Sequence, residues 1–360
     1  MENKYEVVEH DIKEKILSGV YKVNDRLPTE SELMKTYNVS RYTIRHAIGE
    51  LENDHYVYRI QGGGMFVDDW QKINDAPLKS KVIGVITTHI ADYIFPNIIA
   101  GIDRYISNSG YSILISNTQN NPEKERQSLL KMMDSGISGL IVEPTQSALS
   151  NINKDIYMKL KDLGIPILFI NAHYSDLEIP YIEMNDFEGG RIATDILFDY
   201  GHQKILGLFK IDDSQGVHRM NGYINSYRNH SDYSLLSEMI MYQSSDNMHA
   251  IFKRIENALL MNENERPTAI LCYNDQLAIQ VMDLVRSLSL KIPEDISIIG
   301  FDNYQLSQYI SPKLTTIEHP KEKMGHDAGK MILDIIEEKQ DLDNIIYEPE
   351  LIIRNSVLKK

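Results

Sequence analysis

The chain has 360 residues, 42% of them hydrophobic, and a formal net charge of −15 at pH 7, with a single cysteine. That length supports two or three domains with their own cores, while the acidic balance excludes a broadly basic surface for gripping nucleic acid. Cys272 excludes an intramolecular disulfide, and its place in the apolar run TAILCYN marks a buried, inert thiol. The charged start, MENKYEVVEHDIKEK, does not read as a signal peptide. It does read as an amphipathic helix with Tyr5, Val8, Ile12 and Ile16 inward, ended by Ser18-Gly19.

Next comes LPTESELMKTYNVSRYTIRHAIG, Leu27 to Gly49. Thr29 and Glu32 form a capping box for a short helix that ends at Asn38, and Ser40 caps the following helix. On a period of about 3.6 residues, Ile44, Ala47, Ile48 and Leu51 share one arc, with Arg41, Tyr42, Arg45 and Gly49 opposite. A capped short helix followed by one with an apolar back and an arginine front is the layout of a DNA-reading pair, although a solvated surface pair has the same periodicity. The β-rich runs in HYVYRIQGGGMFV then form a hairpin whose three glycines let backbone approach another surface closely.

Through LPTESEL, VSRYTIRHAI and QGGGMFV, residues 1–70 resemble the GntR-type winged helix-turn-helix. The resemblance implies binding to double-stranded operator DNA. By position it puts Arg41, Tyr42, Thr43 and Arg45 on the recognition helix, Glu30 and Ser31 at the start of the helix before it, and Gln61 and Gly62 at the wing tip. Lys4 becomes a candidate phosphate contact. The first 70 residues carry only nine Lys and Arg against thirteen Asp and Glu. The cationic face is therefore small, and binding leans on base contacts and dimerisation.

Asp68 to Lys81, polar and broken by Pro77, reads as a linker, assigned to residues 71–80. From residue 81 to 360, apolar strands alternate with helical segments. Expected strands are 82–87, 111–116, 139–144, 165–171, 182–186, 205–210, 239–243, 268–274 and 297–303, with shorter ones later. Near-continuous apolar strands between helices mean parallel sheets covered on both faces. The fold class expected is α/β: a winged helix-turn-helix, then a sensor of two doubly wound parallel sheets. No apolar stretch reaches membrane length, since Val82–Ile102 is broken by Thr87, Thr88, His89 and Asp92. The expectation is a cytoplasmic protein with no membrane partner.

KVIGVIT, GLIVEPT, the long run ILCYNDQLAIQ to SIIGFDN, and LTTIEHP make this region resemble the LacI/GalR-type sensor, itself similar to periplasmic sugar-binding proteins. The resemblance implies a homodimer and three crossings between subdomains, near Asn185–Glu188, Ser311–Thr315 and Asn344–Glu348. A GntR-type head on a LacI-type sensor resembles the arabinose-operon repressor group. Membership implies a dimeric repressor released from its operator by a small sugar, L-arabinose foremost.

Ligands of open α/β sheets sit beyond the carboxyl ends of the strands. The residues there are Thr88, His89, Tyr93, Phe95, Glu143, Asn171, His173, Asp186, Lys210, Arg219, Asn274, Asp275 and Asp302. Carboxylates, amides and a guanidinium pair with sugar hydroxyls, and aromatic rings cover C–H faces. Arg219, Asn274 and Asp302 are the foremost effector candidates, then Tyr93, Phe95, Glu143 and His173. Asp275 reads more simply as a helix cap, His89 and His173 equally as loop histidines, and Tyr93 and Phe95 equally as packing. Two carboxylates in a cleft also suit a glycosidase. Against catalysis, the sequence has no GxSxG, P-loop, HExxH or GxGxxG after a strand, and no metal-spaced Cys/His cluster. No metal, cofactor or catalytic residue is therefore assigned.

Overall fold

The computed structural model describes residues 4–60, 63–69, 81–91, 93–230, 238–339 and 343–360. They divide into two compact units, Met1–Lys79 and Ser80–Lys360. The wing-tip candidates Gln61 and Gly62, and the linker 71–80, lie outside the described residues.

The first unit holds helices α1 (Lys4–Leu17), α2 (Glu30–Tyr37) and α3 (Arg41–Asn53), then a hairpin of β1 (Val57–Ile60) and β2 (Gly64–Val67). Its core forms where the periodicity places it. Val8, Ile12 and Ile16 of α1 meet Ile44, Ala47, Ile48 and Leu51 of α3, all 2% exposed or less. Burying each of the larger side chains contributes about 1.5–3 kcal/mol. Both halves of the Thr29–Glu32 capping box are present, Asn38 ends α2 in the left-handed region (φ 50°), and Ser40 caps α3 by accepting from the Thr43 amide. The antiparallel hairpin pairs Val57 with Val67 and Ile60 with Gly64, and Arg26 adds a bridge to Phe66.

The second unit contains two six-stranded sheets. In chain order come β3 (Val82–Thr87), α4 (Phe95–Asn108), β4 (Ser112–Asn117), α5 (Pro122–Asp134), β5 (Gly139–Val142), α6 (Lys154–Asp162), β6 (Ile167–Ile170), β7 (Tyr181–Met184), α7 (Asp186–Asp199), β8 (Ile205–Lys210), α8 (Ser214–Asn229), β9 (Glu238–Tyr242), α9 (Met248–Leu259), β10 (Ala269–Cys272), α10 (Asp275–Ser287), β11 (Ser297–Asp302), β12 (Thr315–Glu318), α11 (Lys321–Ile336), β13 (Ile345–Tyr347) and β14 (Glu350–Ile352). One sheet runs β13-β7-β6-β5-β3-β4, all parallel; the other runs β14-β12-β11-β10-β8-β9, parallel except for β14 against β12. All nine expected strands form, shifted by a residue or two at their ends; β3, β5, β6, β8, β10 and β11 are the apolar runs buried on both faces that give the plainest signal. Among the described residues, no helix is long and apolar enough to cross a membrane.

The chain does cross between subdomains three times. The first crossing, between β7 and α7, falls in the expected segment, and the third follows β13 at Glu348–Pro349. The second does not lie at Ser311–Thr315. Residues 315–318 are themselves strand β12, paired in parallel with β11, so the crossing comes after them, at His319–Pro320. A strand of four residues rich in threonine lacks the apolar continuity that marked the others.

Candidate functional site

In the first unit, α3 presents Tyr42, Arg41 and Arg45 to solvent; Tyr42 is 78% exposed. Glu30, opening α2, lies 3.7 Å from the Arg41 guanidinium and 3.4 Å from that of Arg45. Exposed ion pairs of this kind add little stability, so their effect is to hold two long side chains side by side. Thr43 shares a hydroxyl contact with Ser40, and Ser31 and Lys4 are exposed at the starts of α2 and α1. Arg26 adds a cation beside the wing: a Cβ placed on Gly64 (φ +113°) would meet its guanidinium at 2.9 Å. Gly64 thus allows the guanidinium to lie against bare backbone.

In the second unit, the carboxyl ends of both sheets face one cavity of about 210 Å³. That is below the roughly 300–1,000 Å³ typical of drug-sized ligands. Its centre is Arg219, from α8, which is 5% exposed. The guanidinium donates to Asp186 (2.8 Å), to the Tyr273 carbonyl (2.7 Å) and to Asp302 (3.3 Å), and stacks 3.5 Å over the Phe301 ring. The helix pair makes this contact possible: a Cβ at Gly190 would come within 2.2 Å of the Arg219 carbonyl, so only glycine lets α7 sit close enough to offer Asp186. Burial works against the Arg219 charge, but the Asp186 and Asp302 carboxylates hold it firmly. Asp302 itself adopts φ +95°, a strained backbone at the end of a buried strand.

The opposite wall comes from the first sheet. Glu143 accepts from the Thr88 amide (2.9 Å), the Thr88 hydroxyl (2.6 Å) and the Asn171 amide (3.0 Å). Phe95 opens α4 at the cavity's edge, its ring 5.6 Å from that of His89. The two walls touch. Tyr93 donates from the first subdomain to Asp302 of the second (2.5 Å), Asn120 reaches Asp213 (3.2 Å) and Ser244 (2.7 Å), and the Ser147 and Ser214 hydroxyls meet at 3.0 Å. The cleft is closed in this structure. Four carboxylates line it (Glu143, Asp186, Asp213, Asp302) against two cations (Lys210, Arg219), and Lys210 is already paired with Asp213 at 2.6 Å. Such a lining suits a neutral, hydroxyl-rich molecule and repels an anion.

The sequence profile of bacterial regulatory proteins of the gntR family matches residues 4–67, and that of the periplasmic binding protein-like domain matches residues 194–357. The arabinose metabolism transcriptional repressor of Halalkalibacterium halodurans is 42% identical over 99% of this chain and 97% of its own length. The chain belongs to the arabinose metabolism transcriptional repressors. The member from Geobacillus stearothermophilus is 39% identical over 98% of the chain and 97% of its own length. Among solved structures, a periplasmic binding protein/LacI transcriptional regulator from Alkaliphilus metalliredigens, complexed with D-xylulofuranose, superposes with a TM-score of 0.66. It is 26% identical over 78% of this chain and 100% of its own. The chain is thus a transcriptional repressor with a DNA-binding head, not an enzyme.

Of the repressor's sequence-expected effector residues, the fold brings Tyr93, Phe95, Glu143, Arg219, Asn274 and Asp302 to one cavity. His173 is not among them. Its ring stacks on Tyr181 at 4.1 Å and bonds Glu183 at 2.6 Å, because Tyr181 and Glu183 on neighbouring β7 capture it. Asp275 does not cap its helix. Asn274 does, accepting from the Leu277 amide, while buried Asp275 ties down the Tyr304 amide and the Ser307 and Thr316 hydroxyls. Six polar lining residues lie outside the expected set: Asn120, Asp213, Gln215, Tyr273, Gln276 and His319. Asp213 follows an expected strand and Tyr273 falls in the last residues of one, within reach of the same rule; His319 was hidden by the misplaced crossing.

Burial raises the Glu143 carboxyl to about 7, against the hydrogen bonds from Thr88 and Asn171. The folded repressor then holds this proton more tightly than the unfolded chain. Stability from this group is full below about pH 4.5 and is lost as pH rises to about 7, with a slope of up to about 1.4 kcal/mol per pH unit. Glu143→Gln should flatten that part of the pH–stability curve. Denaturant titrations of both proteins at pH 5, 6, 7 and 8 measure it, and parallel curves would refute the assignment.

Proposed function

We propose that this repressor binds operator DNA as a homodimer and is released when L-arabinose occupies the closed cleft. The observation that carries the reading is the Asp186–Arg219–Asp302 constellation facing Glu143 in a small, net-acidic cavity. Buried charges already oriented by one another present fixed donors and acceptors to vicinal hydroxyls, while Tyr93 and Phe95 supply apolar cover. The two arabinose metabolism repressors at about 40% identity favour arabinose among the sugars, and the pentulose in the Alkaliphilus regulator favours a five-carbon ligand.

On this reading Arg219, Asn274, Asp302 and Glu143 bond the sugar. Asn274 keeps its NH₂ group for that purpose, since its carbonyl oxygen caps α10. In the head, residues 1–70, Arg41, Arg45, Tyr42 and Thr43 meet the major groove, while Lys4, Ser31 and Arg26 meet phosphates. Glu30 orients both recognition arginines, and Gln61 and Gly62, assigned to the wing tip, reach a DNA groove or its phosphates. Residues 71–80 link this head to a sensor, 81–360, that also dimerises. Sugar favours the closed cleft, and closure changes the spacing of the two heads.

A thermal-shift titration of the full chain tests the effector. At a hundredfold excess over Kd, L-arabinose should add about 2.7 kcal/mol, which is roughly 5 °C for a sensor of this size. A shift with a sugar phosphate or a purine, and none with L-arabinose, would overturn the proposal.

A further inference from the structure

Two buried side-chain atoms on residues that line the cavity have no hydrogen-bond partner, His319 Nδ1 and Gln215 Oε1. An unpaired buried acceptor is costly unless something donates to it. His319 is the more tightly defined of the two, being 3% exposed, and a chain of hydrogen bonds fixes its ring.

Above the Glu143 midpoint of about 7 the chain has a single direction. Ionised Glu143 only accepts, so Asn171 turns its NH₂ toward it (3.0 Å). The Asn171 carbonyl oxygen must then accept, and its partner at 3.0 Å is His319 Nε2, which carries the ring proton. Burial pulls the His319 pKa down to about 4, so at neutral pH the ring holds that one proton. Nδ1 is left as an unpaired acceptor on a residue that lines the cavity.

We infer that His319 is an effector-contacting residue whose Nδ1 accepts a hydrogen bond from a hydroxyl of the bound sugar. This deepens the effector reading above and rests on it. The position adds a consequence for signalling. His319 is the first residue after β12, where the chain leaves the second subdomain for the first, and its carbonyl is clamped by Lys321 Nζ (2.9 Å), which also bonds the Asp302 and Asn303 carbonyls. A hydroxyl seated on His319 therefore touches the crossing strand itself and, through Asn171 and Glu143, the far wall.

Two substitutions separate the two ring nitrogens. His319→Gln can replace the Nε2 donor toward Asn171 but not the Nδ1 acceptor, whereas His319→Asn can replace the acceptor but not the donor. Calorimetry with L-arabinose at pH 8, above the Glu143 midpoint, should show the Gln variant weakened about ten- to hundredfold and the Asn variant weakened less. One monodeoxy-L-arabinose should bind wild type more weakly yet lose nothing further in the Gln variant. Gln-variant affinity within twofold of wild type, with L-arabinose bound by both, overturns this inference alone. Wild type that binds no L-arabinose overturns the effector reading and this inference with it.

Discussion

Arg219→Ala should abolish the response to sugar and lower the unfolding free energy of the sensor by about 3–5 kcal/mol. The size follows from what is left behind. Asp186 and Asp302 would remain buried, at 3% exposure each, without the guanidinium that now compensates them. At about 2 °C per kcal/mol for a domain of this size, the melting temperature should fall roughly 6–10 °C. Arg219→Met combined with Asp186→Asn and Asp302→Asn removes all three charges and should restore much of the stability without restoring sugar binding. Differential scanning calorimetry and sugar titration on both variants give the answer. A single variant as stable as wild type would mean that the constellation is not buried as described.

The second large effect belongs to the head. Arg41→Ala and Arg45→Ala should each cost about 1–3 kcal/mol of operator binding if each reads a base edge, and should relax preference at the bases they read. Glu30 stands beside both, so the two losses should not add: once one arginine is gone, the other keeps the whole carboxylate. Footprinting on a duplex selected from a random pool should show two half-sites one helical turn or a multiple apart, as a two-fold dimer requires. Protection of a single half-site would remove the dimer from the proposal, and an unchanged footprint in both variants would remove α3 as the reading element.

How much of this was legible beforehand depended on the kind of signal. Capped helices and buried parallel strands announce themselves locally, through Thr29 and Glu32 or through VIGVIT and ILGLFK, and the structure follows them closely. Residues at strand ends could be gathered into a cleft by the topology alone, which is why Arg219, Asp302 and Glu143 meet. Side-chain competition was not legible. Nothing near His173 in sequence reveals that Tyr181 and Glu183 hold it, and nothing in Asn274-Asp275 says which of the pair caps α10. β12, one of the shorter later strands, had no range of its own because a short, threonine-rich strand carries too weak a pattern, and His319 went unplaced with it.

The threefold crossing has a consequence for how the protein is made. The first sheet takes its edge strand β13 and covering helix α11 from residues beyond 320, and the second takes β14 from the segment after that. A ribosome releasing the chain from its N-terminus exposes β3 to β7 long before α11 exists to cover them. Among the described residues, the head's strands and helices all lie within the first 67, so it can fold early. The sensor must wait, with one face of its first sheet only partly covered, until almost the whole message has been read. Chaperone demand during synthesis should therefore fall on the sensor, and a nonsense codon anywhere between 320 and 350 should yield a folded head on a collapsed, aggregation-prone body.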